Sequence, residues 1–201
     1  MAMKNSEKEK MLEGKLYKVD GELSKLHLKA FELTRAYNLL SPHDKLAKET
    51  ILKELFGSVG ENIYLEPTIK CDYGFNIKIG NNFYANFDCV FLDVNTITFG
   101  NNIFIGPRCC FFTAGHPIDK DIRNEQLEYG YPIKVGNDVW FGGGVIVNPG
   151  VTIGSNVVIG SGSVVTTDIP DGVVACGNPC KVIRKITEKD KEFWEKEKNQ
   201  R

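Results

Sequence analysis

Between Val135 and Pro170 a large apolar residue recurs at every sixth position: Val135, Phe141, Val147, Ile153, Ile159 and Val165. The position after it is Gly in four of these six units, and the fifth position is Val or Ile except at Ser163. A period of six is neither helical nor a plain strand alternation; it marks a repeat architecture. Three such units make one coil of a parallel β-helix, with the first residue of each pointing into a triangular bore. A small residue beside it lets the backbone turn the corner. Chance glycine spacing in a β-sandwich is the alternative, and six consecutive in-phase units argue against it. The register extends upstream through Val59, Leu65 and Cys71, then Ile79, Ala85 and Phe91, then Phe99, Ile105 and Phe111. Fifth positions there are Ile63, Ile69, Phe75, Phe83, Cys89, Ile103 and Cys109.

Coil starts at 59, 79 and 99 are 20 residues apart rather than 18, and the two surplus residues follow the third side each time. After His116 the same side opens into 18 further residues, 117–134, before Val135 resumes the phase. Irregularities repeated at one corner stack along one edge, about 4.8 Å per coil. Here they carry Asp72, Asp93 and His116. Two readings stand side by side. A polar cluster at the insertions of a rigid prism is how a catalytic site sits on a stable scaffold; equally, Asp and Asn fill tight turns, and His116-Pro117 merely leaves the coil.

Residues 6–57 carry helical periodicity and no hexads. Leu23, Leu26, Ala30, Leu33 and Tyr37 recur at three- and four-residue spacing. Ser41-Pro42 is expected to open a second helix with Leu46, Ile51, Leu52, Leu55 and Phe56 on its apolar face, ending at Gly57 as a C-cap. The segment before Gly21 reads as a loop. The predicted organisation is a helical cap over 1–57, a β-helix over 58–185 and a charged helix over 186–201 anchored by Phe193 and Trp194. Such caps cover the open bore of an end coil. His27 and His43 read as surface residues of the cap.

Composition changes the picture little. The 201 residues, 42% hydrophobic, suit one core, and 25 Lys plus Arg against 26 Asp plus Glu give no argument for nucleic acid or membrane. The N-terminus is charged, lacks the apolar core of a signal peptide, and no apolar run has the length of a membrane span, so a cytoplasmic location is expected. Cys71, Cys89 and Cys109 fall on core phases, Cys110 adjoins them, and Cys176 and Cys180 lie four apart. With no C-x-x-C pair and three His, a zinc site is unsupported, and the thiols are read as reduced and apolar. A β-helical zinc hydratase needs three converging His, and the repeats hold one. A structural adhesin or ice-binding face would show a flat Thr ladder without the excursion after His116.

Several motifs carry a resemblance. Met11-Leu-Glu-Gly-Lys-Leu-Tyr, Cys71-Asp-Tyr-Gly-Phe-Asn, Asn82-Phe-Tyr-Ala-Asn-Phe, Thr113-Ala-Gly-His-Pro, Ile146-Val-Asn-Pro-Gly-Val-Thr-Ile-Gly and Gly177-Asn-Pro-Cys-Lys-Val-Ile-Arg are similar to those of the maltose/galactoside O-acetyltransferases. These belong to the hexapeptide-repeat acyltransferases, and the match covers nearly the whole chain. The resemblance implies a left-handed β-helix, a homotrimer, and transfer of acetyl from acetyl-CoA to a sugar hydroxyl without a metal. It also implies His116 as general base, with Asp72, Asn86 and Asp93 holding the acceptor or organising the site. The N–H of Gly143 would face the thioester carbonyl, helped by Asn86. Ser161, Thr166 and Thr167, with Trp140 nearby, match the pantetheine and nucleotide path, and Lys181 and Arg184 the phosphates. The family's acidic residue after the tyrosine of Gly-Lys-Leu-Tyr is replaced by Lys18, which makes Asp20, the nearest carboxylate, a candidate for acceptor binding. Phe111-Phe112 is expected to line the approach to His116. Serine, an oligosaccharide or an antibiotic is the alternative acceptor.

Overall fold

The six-residue repeat winds into three flat parallel faces around one bore in the computed structural model, which describes residues 5–200. Residues 1–4 of the predicted cap and residue 201 of the predicted last helix lie outside the described residues. The first face is built from Ser58–Val59, Ile77–Ile79, Ile97–Phe99, Ile133–Val135 and Thr152–Ile153. The second takes Ile63–Leu65, Phe83–Ala85, Ile103–Ile105, Val139–Phe141, Val157–Ile159 and Val173–Cys176. The third takes Ile69–Cys71, Cys89–Leu92, Cys110–Phe112, Ile146–Val147 and Val164–Val165. Ile63 pairs with Phe83, Phe83 with Ile103, Ile103 with Val139 and Val139 with Val157, so each coil repeats at the spacing read from the hexads. Val135 pairs with Phe99, so the phase resumes there as counted, and the strand begins two residues earlier at Ile133 as the one before it begins at Ile97.

Hexad positions fill the bore. Phe111 stacks on Phe91 with centroids 5.5 Å apart and meets Phe99 and Phe141 edge-on at 5.0 and 5.2 Å. Phe111 is therefore fully buried, and only Phe112 of that pair points outward, which corrects the expectation that both line the approach to His116. Outward residues differ sharply between faces. Lys78, Thr98, Lys134 and Thr152 form a polar row on the first. Tyr64, Tyr84, Phe104 and Trp140 form an aromatic row on the second. On the third, Val90, Cys110, Ile146 and Val164 form a row of small apolar side chains.

The corner between the first and second faces is held by stacked amides. Asn62 donates to Asn82, Asn82 to Asn102 and Asn102 to Asp138, at 3.0, 2.9 and 2.8 Å. All four residues sit in the left-handed region, with φ between 56° and 59°, where Asn and Asp are tolerated better than other side chains. Replacing Asn102 by Ala removes two ladder bonds and adds backbone strain, an expected loss of about 1–3 kcal/mol in urea unfolding. Asn102→Gly should recover the strain part. Equal stability of wild type, Ala and Gly variants would refute the ladder's contribution.

The cap consists of α1 (Glu7–Leu12), α2 (Gly21–Leu39) and α3 (Lys45–Leu55). Helix α3 starts three residues beyond Pro42, because Ser41 and Asp44 close a turn instead: the Ser41 N–H donates to the Asp44 carboxylate. Gly57 is not a left-handed cap; a Cβ there would run into the Phe75 carbonyl, so the close approach of the first coil demands glycine. The Asn38 side chain donates to the Ile69 carbonyl and accepts from the Ile69 N–H, both at 2.9 Å, and so pairs the open strand edge of the first coil. Lys48 is 4% exposed, its ammonium has no acceptor among the described residues, and it lies over the rings of Tyr37 and Tyr64 at 5.2 and 5.6 Å. This cation–π contact clips α3 to the second face. At the other end Lys181–Lys185 turns back antiparallel on Val173–Cys176, ahead of a charged helix, Glu188–Asn199, without buried residues.

Candidate functional site

The edge between the third and first faces gathers the first group of residues. Asp93 is fully buried, and its carboxylate accepts from the amides of Asp72, Tyr73 and Asn76 at 3.0, 2.9 and 3.3 Å. Burial pushes its carboxyl up, and these amides pull it back. Asp93 thus shapes the corner that presents Asp72 and offers no free oxygen to the surface. Asp72 itself borders solvent; burial pushes its carboxyl up to about 6, His27 opposing and Glu128 adding to the rise. No donor among the described residues is bonded to its carboxylate.

His116 leaves the same edge at the end of a short antiparallel stem in which Ala114 pairs with Gly130 and Gly115 with Tyr129. Its Nδ1 lies 3.3 Å from the Leu127 carbonyl. A carbonyl only accepts, so this contact holds the proton on Nδ1 and leaves Nε2 as the basic nitrogen. The loop between is ordered by Asp119, which caps the helical turn Lys120–Asn124, and by Arg123, which donates to the Pro117 and Ile118 carbonyls at 2.9 Å. Asn95 binds the whole corner, donating to the carbonyls of Met11, Leu12 and Gly130. Nothing in the hexad pattern pointed to Asn95.

Between cap and β-helix lies a cleft of about 490 Å³. Val19, Ser24, His27 and Leu28 line it from one side, and Asp72, Tyr73, Val94 and Glu128 from the other. His27, expected as a plain surface residue, stands in this wall, edge-on to Tyr73 at 6.0 Å. Glu128 is held by the hydroxyl of Tyr17 at 2.8 Å, while the two backbones exchange hydrogen bonds of 3.0 and 3.1 Å. Asp20 does not line this cleft; it caps α2 by accepting from the Leu23 N–H at 2.9 Å. Both His27 and Glu128 escaped sequence reasoning because they enter through helix docking and loop closure.

The second group lies on a different edge, between the second and third faces. Asn86, Gly143 and Ser161 follow strands of the second face, Gly143 and Ser161 in adjacent coils and Asn86 two coils before Gly143, with Gly106 between. Among the described residues the Gly143 N–H has no acceptor, although the flanking amides of Gly142 and Gly144 are bonded to Ile159 and Pro107. A Cβ on Gly142 would strike Ser161, so the chain here is as thin as a backbone allows. The Asn86 carbonyl oxygen accepts from Phe87 at 2.7 Å, which leaves its amide N–H groups free to donate. Beside Gly143 a cleft of about 530 Å³ is lined by Phe87, Pro107 and Arg108.

The residues matched to one pantetheine path are split. Ser161 shares the edge of Gly143, whereas Thr166 and Thr167 follow the third face and share that of Asp72 and His116. Trp140 is 55% exposed on the second face and, with Trp194, Arg184 and Lys191, lines an open cleft of about 760 Å³. Lys181 and Arg184 lie on the returning strand. Asp190 grips Arg184 through Nη1 and Nη2 at 2.9 and 2.7 Å, which lowers the Asp190 carboxyl and leaves the fork of Nε and the second Nη2 proton unused. Burial pushes the Cys89 and Cys109 thiols up to about 12 and about 11, so neither is a poised nucleophile.

Comparison with known proteins agrees with this layout. A family profile described as the maltose acetyltransferase hexapeptide capping motif matches residues 10–60, and one described as bacterial transferase hexapeptide (six repeats) matches residues 132–167. The chain is 44% identical over 190 residues to galactoside O-acetyltransferase of Escherichia coli, covering 94% of each. It is 42% identical over 181 residues to nodulation protein L of Rhizobium meliloti, covering 90% of this chain and 99% of that one. A maltose O-acetyltransferase structure from Clostridium difficile superposes with TM-score 0.90 at 53% identity, covering 91% of this chain and 98% of the other. A galactoside acetyltransferase in complex with coenzyme A does so with TM-score 0.90 at 43% identity, covering 94% of each. Agreement at that level requires the coils to wind in the same sense as those of these structures.

Proposed function

Because the chain belongs to the maltose/galactoside O-acetyltransferase family of hexapeptide-repeat acyltransferases, we propose that it moves acetyl from acetyl-CoA to a sugar hydroxyl by direct attack, with His116 as general base. The observation that carries this reading is the contact of His116 Nδ1 with the Leu127 carbonyl, which leaves Nε2 able to take a proton. The acceptor oxygen attacks the thioester carbon as its proton passes to Nε2. The free Gly143 N–H, with the Asn86 amide, stabilises the oxyanion. The intermediate then collapses, the C–S bond breaks, and the imidazolium returns its proton to the CoA thiolate.

Direct attack needs the reacting atoms about 3–3.5 Å apart. Within one chain, the edge of Asn86 and Gly143 and the edge of Asp72 and His116 lie on opposite sides of the third face, some four to six residues or roughly 13–20 Å of extended chain. Two copies close that gap. With three prisms turning their third faces to a common axis, the Gly143 edge of each meets the His116 edge of its neighbour. The outward row of Val90, Cys110, Ile146 and Val164 suits such an axis, as the Lys and Thr of the first face suit solvent. We therefore assign a homotrimer with three active sites between subunits, Gly143, Asn86 and Ser161 from one copy and His116, Asp72, Thr166 and Thr167 from the next.

Acetyl-CoA would run along that seam, its phosphates toward Lys181 and the unused fork of Arg184. Reversing either charge should weaken acetyl-CoA binding by about tenfold or more while leaving the acceptor KM in place. Isothermal titration of wild type and both variants with CoA and 3′-dephospho-CoA checks this; equal affinities throughout would remove the assignment. Release of free CoA thiol, measured with sugars, serine, chitin-type oligosaccharides and antibiotics, tests the acceptor. Transfer to serine or an antibiotic but to no sugar would replace this reading.

A further inference from the structure

We infer that His27 of helix α2 and Glu128 of the excursion are the residues that select the acceptor, reading its hydroxyls remote from the one acetylated and turning anionic sugars away. This rests on the proposed function, since the cleft they line becomes an acceptor site only if His116 is the base. The cap then serves as one wall of that site as well as a lid.

Geometry carries the inference. Glu128 follows Leu127, whose carbonyl orients His116, so its side chain is tied to the base through one peptide unit. The Tyr17 hydroxyl holds Glu128 Oε2, and the Tyr17 ring is fully buried, so the carboxylate is fixed with its other oxygen available. On the opposite wall α2 presents His27, its ring set by the edge-on contact with Tyr73. Asp72 lies between them, with no bonded donor. The cleft of about 490 Å³ falls within the range of small-molecule sites. Its polar complement, two carboxylates, an imidazole and the Ser24 hydroxyl on three separate elements, matches a ring carrying hydroxyls in several directions. Two carboxylates against one imidazole also repel an acceptor that brings its own negative charge.

The test is steady-state kinetics of the full-length protein with glucose and glucuronic acid as probes. His27→Ala and Glu128→Gln should each raise the glucose KM about tenfold, as expected for a lost polar contact, with the acetyl-CoA KM and thermal midpoint unmoved. His43→Ala, in the exposed turn before α3, should change nothing. Wild type should use glucuronic acid at least tenfold less efficiently than glucose, and Glu128→Gln should narrow that gap. A glucose KM unchanged in both variants, or glucuronic acid used as well as glucose, overturns the inference while leaving the general-base reading intact. If wild type acetylates no sugar at all, the proposed function fails first and takes this one with it.

Discussion

His116→Ala is expected to cut turnover by about 10²–10⁴-fold, the range for removing a positioned general base. The residue is exposed, and among the described residues its ring makes one hydrogen bond, to the Leu127 carbonyl, so the fold and the acetyl-CoA affinity should survive. His116→Asn separates orientation from proton transfer: it keeps a donor for Leu127 but lacks a basic nitrogen, and should be as inactive as the Ala variant. Initial-rate kinetics should be sequential, with intersecting double-reciprocal lines, because burial raises the thiols of Cys89, Cys109 and the outward-facing Cys110, and no serine among the described residues is paired with a base. Chelators should have no effect. A stoichiometric acetyl-cysteine or acetyl-serine that turns over on adding acceptor would overturn direct transfer, as would a His116→Ala enzyme within threefold of wild type.

Ile146→Asp should abolish activity by separating the subunits. The side chain points outward in the middle of the apolar row of the third face, between Cys110 and Val164. Around a threefold axis it would place three carboxylates together in a desolvated setting, where like charges cost several kcal/mol. A lone prism leaves the same position half-exposed, so the coil should tolerate Asp and circular dichroism should keep its β signature. Light scattering should give three times the chain mass for wild type and one for the variant. The variant should also lose essentially all turnover, since neither edge of one chain carries both Gly143 and His116. An active monomer at micromolar concentration would refute the shared site. Thr98→Asp, on the polar outer row of the first face, is the matching control and should leave assembly unchanged.

The hexads made most of the β-helix legible because each coil is local. Side chains at i, i+6 and i+12 enter the same bore whatever lies elsewhere, and the insertions of two and 18 residues could be assigned to one corner by counting. Asp72 and His116 were legible for that reason. Two local expectations changed for different reasons, one through a contact distant in sequence and one through a competing local turn. Gly57 is required by Phe75, and the turn at Ser41–Asp44 depends on a side chain that could equally have capped a helix.

Sequence alone therefore determined the repeat, the corner that carries His116 and the family resemblance, because all of these are properties of spacing along the chain. Tertiary structure decided how those positions divide. It buried Asp93 under three amides, turned Asp20 into a helix cap and brought His27 and Glu128 to one cleft. It also set Asn86 and Gly143 on a different edge from Asp72 and His116. A period of six names the side on which a residue lies; whether two sides meet depends on how the prism closes, and on what packs against it.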